Sequence, residues 1–207
     1  MRYGLLLFIL LQGPAAWCGA GLITVHPEES DALLNNPGTA WIYYDYGKTP
    51  YAYDFPEATC VMHSRQWADI EPTEGACRWD ELKQRVAHWA ARGKKSMIRI
   101  MNAYPGIEFA TPKWVFDAGA QGRHYDSPAW GKGFEPCYWD PVFKKKLRRF
   151  LREFGRQFDG NPDILSIDIR NYGWWGEWHS NIEWPKGINK RKVLEEYIDI
   201  FARALFT

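Results

Sequence analysis

Ile164–Ser180, ILSIDIRNYGWWGEWHS, is the stretch whose reading decides the fold. Leu165, Ile167 and Ile169 fall on one face of an extended segment and Ser166, Asp168 and Arg170 on the other, the period-two pattern of a β-strand. Asn171–His179 follows as a loop in which Gly173, Gly176, Tyr172, Trp174, Trp175 and Trp178 precede or flank a single carboxylate, Glu177. Glycines let the backbone approach a ligand, and aromatic rings offer flat apolar contact. A carboxyl group among them is expected to be partly desolvated, which raises its pKa towards useful acid strength. Glu177 is therefore the candidate catalytic acid/base.

Working outward, Gly160-Asn161-Pro162 separates this strand from a helix that Asp140 caps and Pro141 begins. Phe143, Leu147, Phe150, Leu151, Phe154 and Phe158 form its buried stripe, and the cationic residues between them read mostly as a solvated face. Further upstream, Ala40–Tyr44, Ala58–Arg65 and Lys95–Ala103 read as strands. Trp79, Leu82, Val86, Trp89 and Ala90, stopped by Gly93, mark an amphipathic helix in which Trp79 and Trp89 pack. The connection from Tyr104 to Trp139 is too long for a structureless linker and is expected to be functional, with a short helix near 111–117. Leu194, Tyr197, Ile198, Phe201 and Leu205 mark a last helix.

Strands alternating with helices imply a parallel sheet, either open and doubly wound or closed into a (β/α)8 TIM barrel. His63, Arg65, Arg99, Asp168 and Arg170 place charge in or at the ends of three strands. A sheet covered on both faces should read apolar on both, whereas a barrel lumen near its mouth can hold charge. The barrel is favoured, with about four βα units in this chain. A full barrel takes about 250 residues, so residues 21–207 are expected to be the N-terminal half of a larger domain.

Residues 1–20 carry a positive start, a short apolar run from Leu5 to Leu11 and a small-residue cleavage site at Cys18-Gly19-Ala20, so they read as a secretory signal peptide. The mature protein is expected to be secreted or periplasmic, with no membrane span. Of 26 Lys+Arg only Arg2 lies in the signal, which leaves 25 against 25 Asp+Glu and argues against a nucleic-acid partner. Cys60, Cys77 and Cys137 remain, an odd count with no disulfide framework. The 12 Trp, 11 Tyr and 11 Phe exceed what a core requires, and sugar-binding clefts are one common home for such a surplus.

Three segments carry a family resemblance. Trp67-Ala68-Asp69-Ile70-Glu71-Pro72-Thr73-Glu74-Gly75, ending in Trp79, resembles the segment after the second strand of retaining-clan barrel glycoside hydrolases such as family 42 β-galactosidases. Thr111-Pro112-Lys113-Trp114 resembles their motif after the third strand, and Tyr172–His179 is similar to the fourth-strand ending of related secreted barrel proteins. The clan usually has Asn directly before its fourth-strand Glu, where this chain has Gly176, and its seventh-strand nucleophile has no counterpart before residue 207.

The resemblance implies hydrolysis of O-glycosidic bonds of an extracellular oligo- or polysaccharide, without cofactor or metal. Glu177 would protonate the leaving oxygen. The expected carbohydrate-binding set is His63, Arg65, Arg99, Asn102, Tyr104, Trp114, Trp139, Asn171, Tyr172, Trp174, Trp175, Trp178 and His179. Pairing of Arg65 and Arg99 with Asp168 inside the barrel is the equal alternative for those two, and Glu71 and Glu74 are expected to order the turn before the helix. A carbohydrate-binding protein on a degenerate barrel is the alternative function.

Overall fold

The computed structural model describes residues 24–26, 28–29, 41–46 and 57–205. The chain divides into residues 1–32, of which only short irregular stretches are described, and residues 33–207, which carry the fold. The signal expected at 1–20 and the turn at 36–38 lie outside the described residues.

In chain order the elements are β1 (Trp41–Asp45), β2 (Ala58–Gln66), α1 (Trp67–Ile70), α2 (Trp79–Ala90), β3 (Lys95–Met101) and α3 (Lys113–Asp117). They continue with β4 (Gly122–Ser127), β5 (Gly131–Pro136), α4 (Pro141–Phe158), β6 (Ile164–Asp168) and α5 (Lys190–Leu205). β1, β2, β3 and β6 are the four expected strands, and they pair in parallel in that order. The long connection differs from expectation because it folds into an antiparallel hairpin, β4–β5. Its strands, GRHYDS and GKGFEP, are polar and glycine-rich and lack the alternation that marks a strand.

The helices form where the sequence dictates. Leu82, Val86 and Trp89 line the buried side of α2, and Gly93 follows it at φ +71°, a backbone angle that suits glycine. Asp140 caps α4, its Oδ1 accepting from the Phe143 N–H at 2.8 Å with Pro141 at the first turn. α4 and α5 meet backbone to backbone at Gly155, where any side chain would collide with the Ala204 carbonyl.

The hydrophobic cluster that includes the helices lies on one side of the sheet, while Cys60, Met62 and Met101 are buried on the other. Ile98 and Ile100 of β3 join Leu82 and Val86 of α2, Phe143, Leu147 and Phe150 of α4, and Tyr197 and Phe201 of α5 in one cluster, with Ile167 of β6 packed against it. Register assigns the opposite face. Tyr44 lies beside Met62, Ser64 beside Arg99, and Arg99 beside Asp168. Beyond β6, a groove of about 580 Å³ runs between that strand and α5, lined by Leu165, Ile169, Ile198, Phe201 and Leu205.

The cationic row of α4, expected mostly as a solvated face, is exposed or half-buried and also tethers the fold. Lys144 and Arg148 bind Glu196 of α5 at 2.7 and 3.0 Å, Lys146 binds Glu74 at 2.6 Å, and Arg149 binds Glu71. Glu71 is fully buried and also accepts from Trp67 Nε1 at 2.9 Å and the Gly75 N–H at 2.6 Å, so it orders the turn as expected. Removing it strands these donors. Glu71→Ala is expected to cost about 3 kcal/mol in chemical denaturation. Glu74→Ala, which breaks a largely exposed pair, should cost less than about 1 kcal/mol.

Candidate active site

Because all four strands are parallel, their C-terminal ends lie along one side of the sheet, and the loops that follow share it. On the face away from the helices, Arg99 donates through Nε and Nη2 to Asp168 Oδ2 at 3.2 and 3.1 Å. Arg170 Nε binds the same oxygen at 3.2 Å, and its Nη1 lies 3.6 Å from Glu177 Oε1. A chain of alternating charges thus runs from mid-sheet to the candidate acid. The Glu177 side chain is 49% exposed, so the expected desolvation is not supplied by its own loop.

The loop is tightly wound. Gly173 and Gly176 adopt φ of +80° and +66°, and Trp175 and Trp178 adopt +52° and +60°. For a bulky residue such angles are strained, and strain of this kind concentrates at functional sites. Both glycines are required sterically, since a Cβ on Gly176 would lie 2.5 Å from the Arg170 carbonyl oxygen and one on Gly173 would strike His179. The Trp174 N–H donates to the His179 carbonyl at 3.0 Å and the Trp175 N–H to Ala103 at 2.9 Å, which ties the loop to the end of β3.

The nominated residues sort into three groups. Arg99, Asn102, Tyr104, Asn171, Trp175 and His179 gather with Glu177 at the strand ends. Asn102 and Asn171 bind each other there: Asn102 Nδ2 donates to the Asn171 carbonyl at 3.2 Å and Asn171 Nδ2 to Asn102 Oδ1 at 3.1 Å. Asn171 Oδ1 is buried without a hydrogen-bond partner among the described residues.

A second group supports the site from within. Tyr172 and Trp174 are buried, and Trp178 Nε1 donates to the Ile169 carbonyl at 2.7 Å. Trp139 packs on Trp184 at 5.0 Å, and Trp114 stands edge-on to Trp67 while donating to the Glu71 carbonyl at 2.9 Å. These rings are packing and hydrogen-bonding parts of the fold.

His63 and Arg65 form the third group and correct the expectation that they line a lumen with Arg99. They point to the helix-covered face, because alternation sets them opposite to Ser64, the register partner of Arg99. There His63 lies 3.3 Å from Asp45 and 3.0 Å from Ser96, Arg65 lies 3.5 Å from Asp45, and Arg85 of α2 binds both Asp45 oxygens at 3.0 and 3.1 Å. Ser96, His63 and Asp45 sit in the order of a nucleophilic relay, yet Ser96 and His63 are wholly buried. The cluster instead ties β1 to β2, β3 and α2. Burial pushes the His63 pKa down against the raising influence of Asp45.

One residue was not nominated from the sequence. Glu135 of β5 is fully buried and accepts from Ser180 Oγ at 2.5 Å, so it holds the far end of the Glu177 loop. The same hairpin holds that loop through Arg123, which donates to the Asn181 carbonyl at 2.6 Å, and just beyond β5 Tyr138 Oη accepts from the Gly173 N–H at 2.9 Å. Only its place in a glycine-rich run, GKGFEP, distinguished Glu135 in the sequence, and that run did not read as a strand. Burial raises its pKa despite the lowering influence of Ser180, Tyr138 and Arg123.

The three cysteines Cys60, Cys77 and Cys137 are free. Among the described residues no group of three His, Cys, Asp or Glu is placed to hold a metal ion, and no helix is long and apolar enough to cross a membrane.

No protein-family model matches the chain. A β-galactosidase of Thermus thermophilus is 26% identical over 112 residues, 52% of this chain and 16% of that protein. The β-galactosidase BglY of Alicyclobacillus acidocaldarius is 27% identical over 143 residues, 62% of this chain and 19% of that protein. Among solved structures, a β-galactosidase from the psychrophilic Marinomonas ef1 has a TM-score of 0.45 at 16% identity, covering 61% of this chain and 21% of that one. Endo-glycoceramidase II from Rhodococcus sp. has a TM-score of 0.45 at 15% identity, with 72% and 39% covered. Xylanase B from Clostridium stercorarium F9 has 0.43 at 14%, with 73% and 43% covered.

Glu135 yields a pH prediction. A carboxyl whose pKa is raised by folding binds its proton more tightly in the native state, so stability falls as pH rises from about 4.3, where the unfolded chain releases it, to the higher native value. Glu135→Gln keeps an acceptor for Ser180 and removes the ionisation. Its melting temperature relative to the parent should therefore climb between pH 4 and pH 7 in calorimetry, whereas a difference independent of pH contradicts the assignment. In sequence, the chain is similar to bacterial β-galactosidases, and it spans less than a fifth of the length of these curated relatives.

Proposed function

We propose that this chain is the N-terminal part of a (β/α)8-barrel glycoside hydrolase acting outside the cytoplasm on an oligo- or polysaccharide, with Glu177 as its general acid/base. The observation that carries this reading is the placement of Glu177. It follows a parallel strand on a strained, glycine-bent loop, partly open to solvent, at the end of an ion-paired row on the sheet face opposite the described helices. Among the described residues the helices pack on one face, which suits a barrel rather than a doubly wound sheet. The apolar groove beside β6 suits the next βα unit of a longer protein. Residues 1–20 serve in this reading as a secretory signal.

In the reaction, protonated Glu177 gives its proton to the leaving glycosidic oxygen. A second carboxyl group, on a strand of the longer protein about 5–5.5 Å from the Glu177 carboxyl, attacks the anomeric carbon as the leaving oxygen departs, and Glu177 as carboxylate then activates the water that hydrolyses the glycosyl-enzyme ester. Arg170 bridges Asp168 at 3.2 Å and Glu177 at 3.6 Å and so fixes the position of the Glu177 carboxyl group. Arg99, reached from the same Asp168, orients the second carboxylate, the buried Asn102–Asn171 pair fixes the strand ends, and Tyr104 and His179 supply hydrogen bonds to sugar hydroxyls. Trp175 offers an apolar face for a pyranose ring.

The test uses the longer protein. Glu177→Gln should lower kcat by about 10²–10⁴-fold, the usual worth of general acid catalysis, while calorimetric sugar affinity changes little. Full turnover in that variant rejects the acid/base role. Sugar binding by the parent protein without any turnover indicates the carbohydrate-binding alternative.

A further inference from the structure

Trp130, at the tip of the β4–β5 hairpin, has no part in the acid/base chemistry, yet it is presented deliberately. Its indole is 60% exposed. A lone exposed tryptophan needs no explanation, but a row of oriented rings does. Trp130 stands edge-on to Trp175 at 5.3 Å and 86°, and Trp175 continues the row to Tyr104 at 6.3 Å and His179 at 5.9 Å. Trp175 is two residues from Glu177, so the row joins the hairpin tip to the loop of the candidate acid.

The position of the tip is fixed by backbone. The Gly106 N–H, just after β3, donates to the Lys132 carbonyl at 3.0 Å. A Cβ on Gly131 would lie only 3.2 Å from Gly106 Cα, so the two turns touch at their glycines. The Trp130 N–H is held by Ser127 through its carbonyl at 3.2 Å and its Oγ at 3.3 Å. Of the charged residues that flank the hairpin tip, Lys132 pairs with Asp126 at 3.1 Å. An exposed, held, uncharged indole suits the C–H face of a neutral sugar better than an anionic polymer.

We propose that Trp130, with Trp175, forms an outlying subsite that stacks on a pyranose ring of a neutral oligosaccharide whose scissile bond lies at Glu177. This rests on the glycosidase reading above and extends it, since it names an extended sugar chain as the substrate.

The experiment compares Trp130→Ala with the parent longer protein on a ladder of neutral oligosaccharides and on a one-ring aryl glycoside, by kinetics and by calorimetric binding. The ratio of kcat/KM for the longest oligosaccharide to that for the aryl glycoside should fall about tenfold, with Trp130→Phe in between; tenfold corresponds to about 1.4 kcal/mol. Hydrolysis with an unchanged ratio overturns the subsite and leaves the glycosidase reading standing. Trp130-dependent binding without hydrolysis supports the subsite and overturns the glycosidase reading. A parent protein that neither binds nor cleaves any member of the ladder overturns both.

Discussion

The pairing of β3 with β6 is the constraint on which the rest of the site depends. Register sets Arg99 directly beside Asp168, and the two side chains bond on the sheet face away from the core. A slip of one residue would turn Asp168 and Arg170 into the apolar layer and carry Ile167 out of it. Burying those charges against Ile98 and Phe143 would be prohibitive, so hydrophobic patterning selects the register. The register in turn aims the charged row towards Glu177. The structural and the chemical faces of the sheet are thus decided together.

The loop carrying Glu177 gains its shape from outside its own sequence. Four residues between Gly173 and Trp178 adopt positive φ, including two tryptophans, and such a conformation persists only when its surroundings over-determine it. The β4–β5 hairpin and the residues just after it supply that determination through Glu135, Arg123 and Tyr138. Trp174, in contact with Tyr125 at 4.9 Å, fills the space between loop and hairpin. The long insertion after β3 therefore acts as a clamp on the site and not merely as a connection.

Much of this was legible in the residues. Alternation at 164–170 yields both the strand and its two faces, and the stripes of α2 and α4 emerge because burial on one side imposes a period of 3.6. The Asp140-Pro141 start and the Gly93 stop depend on single local bonds and angles, so they too appear in sequence. The hairpin did not, because its stability comes from rings and carbonyls far away in the chain. The orientation of His63 and Arg65 was lost for a related reason. Alternation says that they share a face but not which one, and the partners that decide it, Asp45 and Arg85, come from a different strand and a helix. Most of the tryptophans nominated for sugar contact are packing residues, since an indole serves a core and a cleft equally well and composition cannot separate the two uses.

The most direct test of the whole account is a crystal structure of the longer protein with a slowly hydrolysed oligosaccharide bound. The expected result is a glycosidic oxygen within hydrogen-bonding distance of the Glu177 carboxyl group, on the face that carries Arg99 and Asp168, with further strands closing the sheet beyond β6. A sugar bound elsewhere, or a Glu177 carboxyl turned away and sealed by Arg170 in the complex, would contradict it.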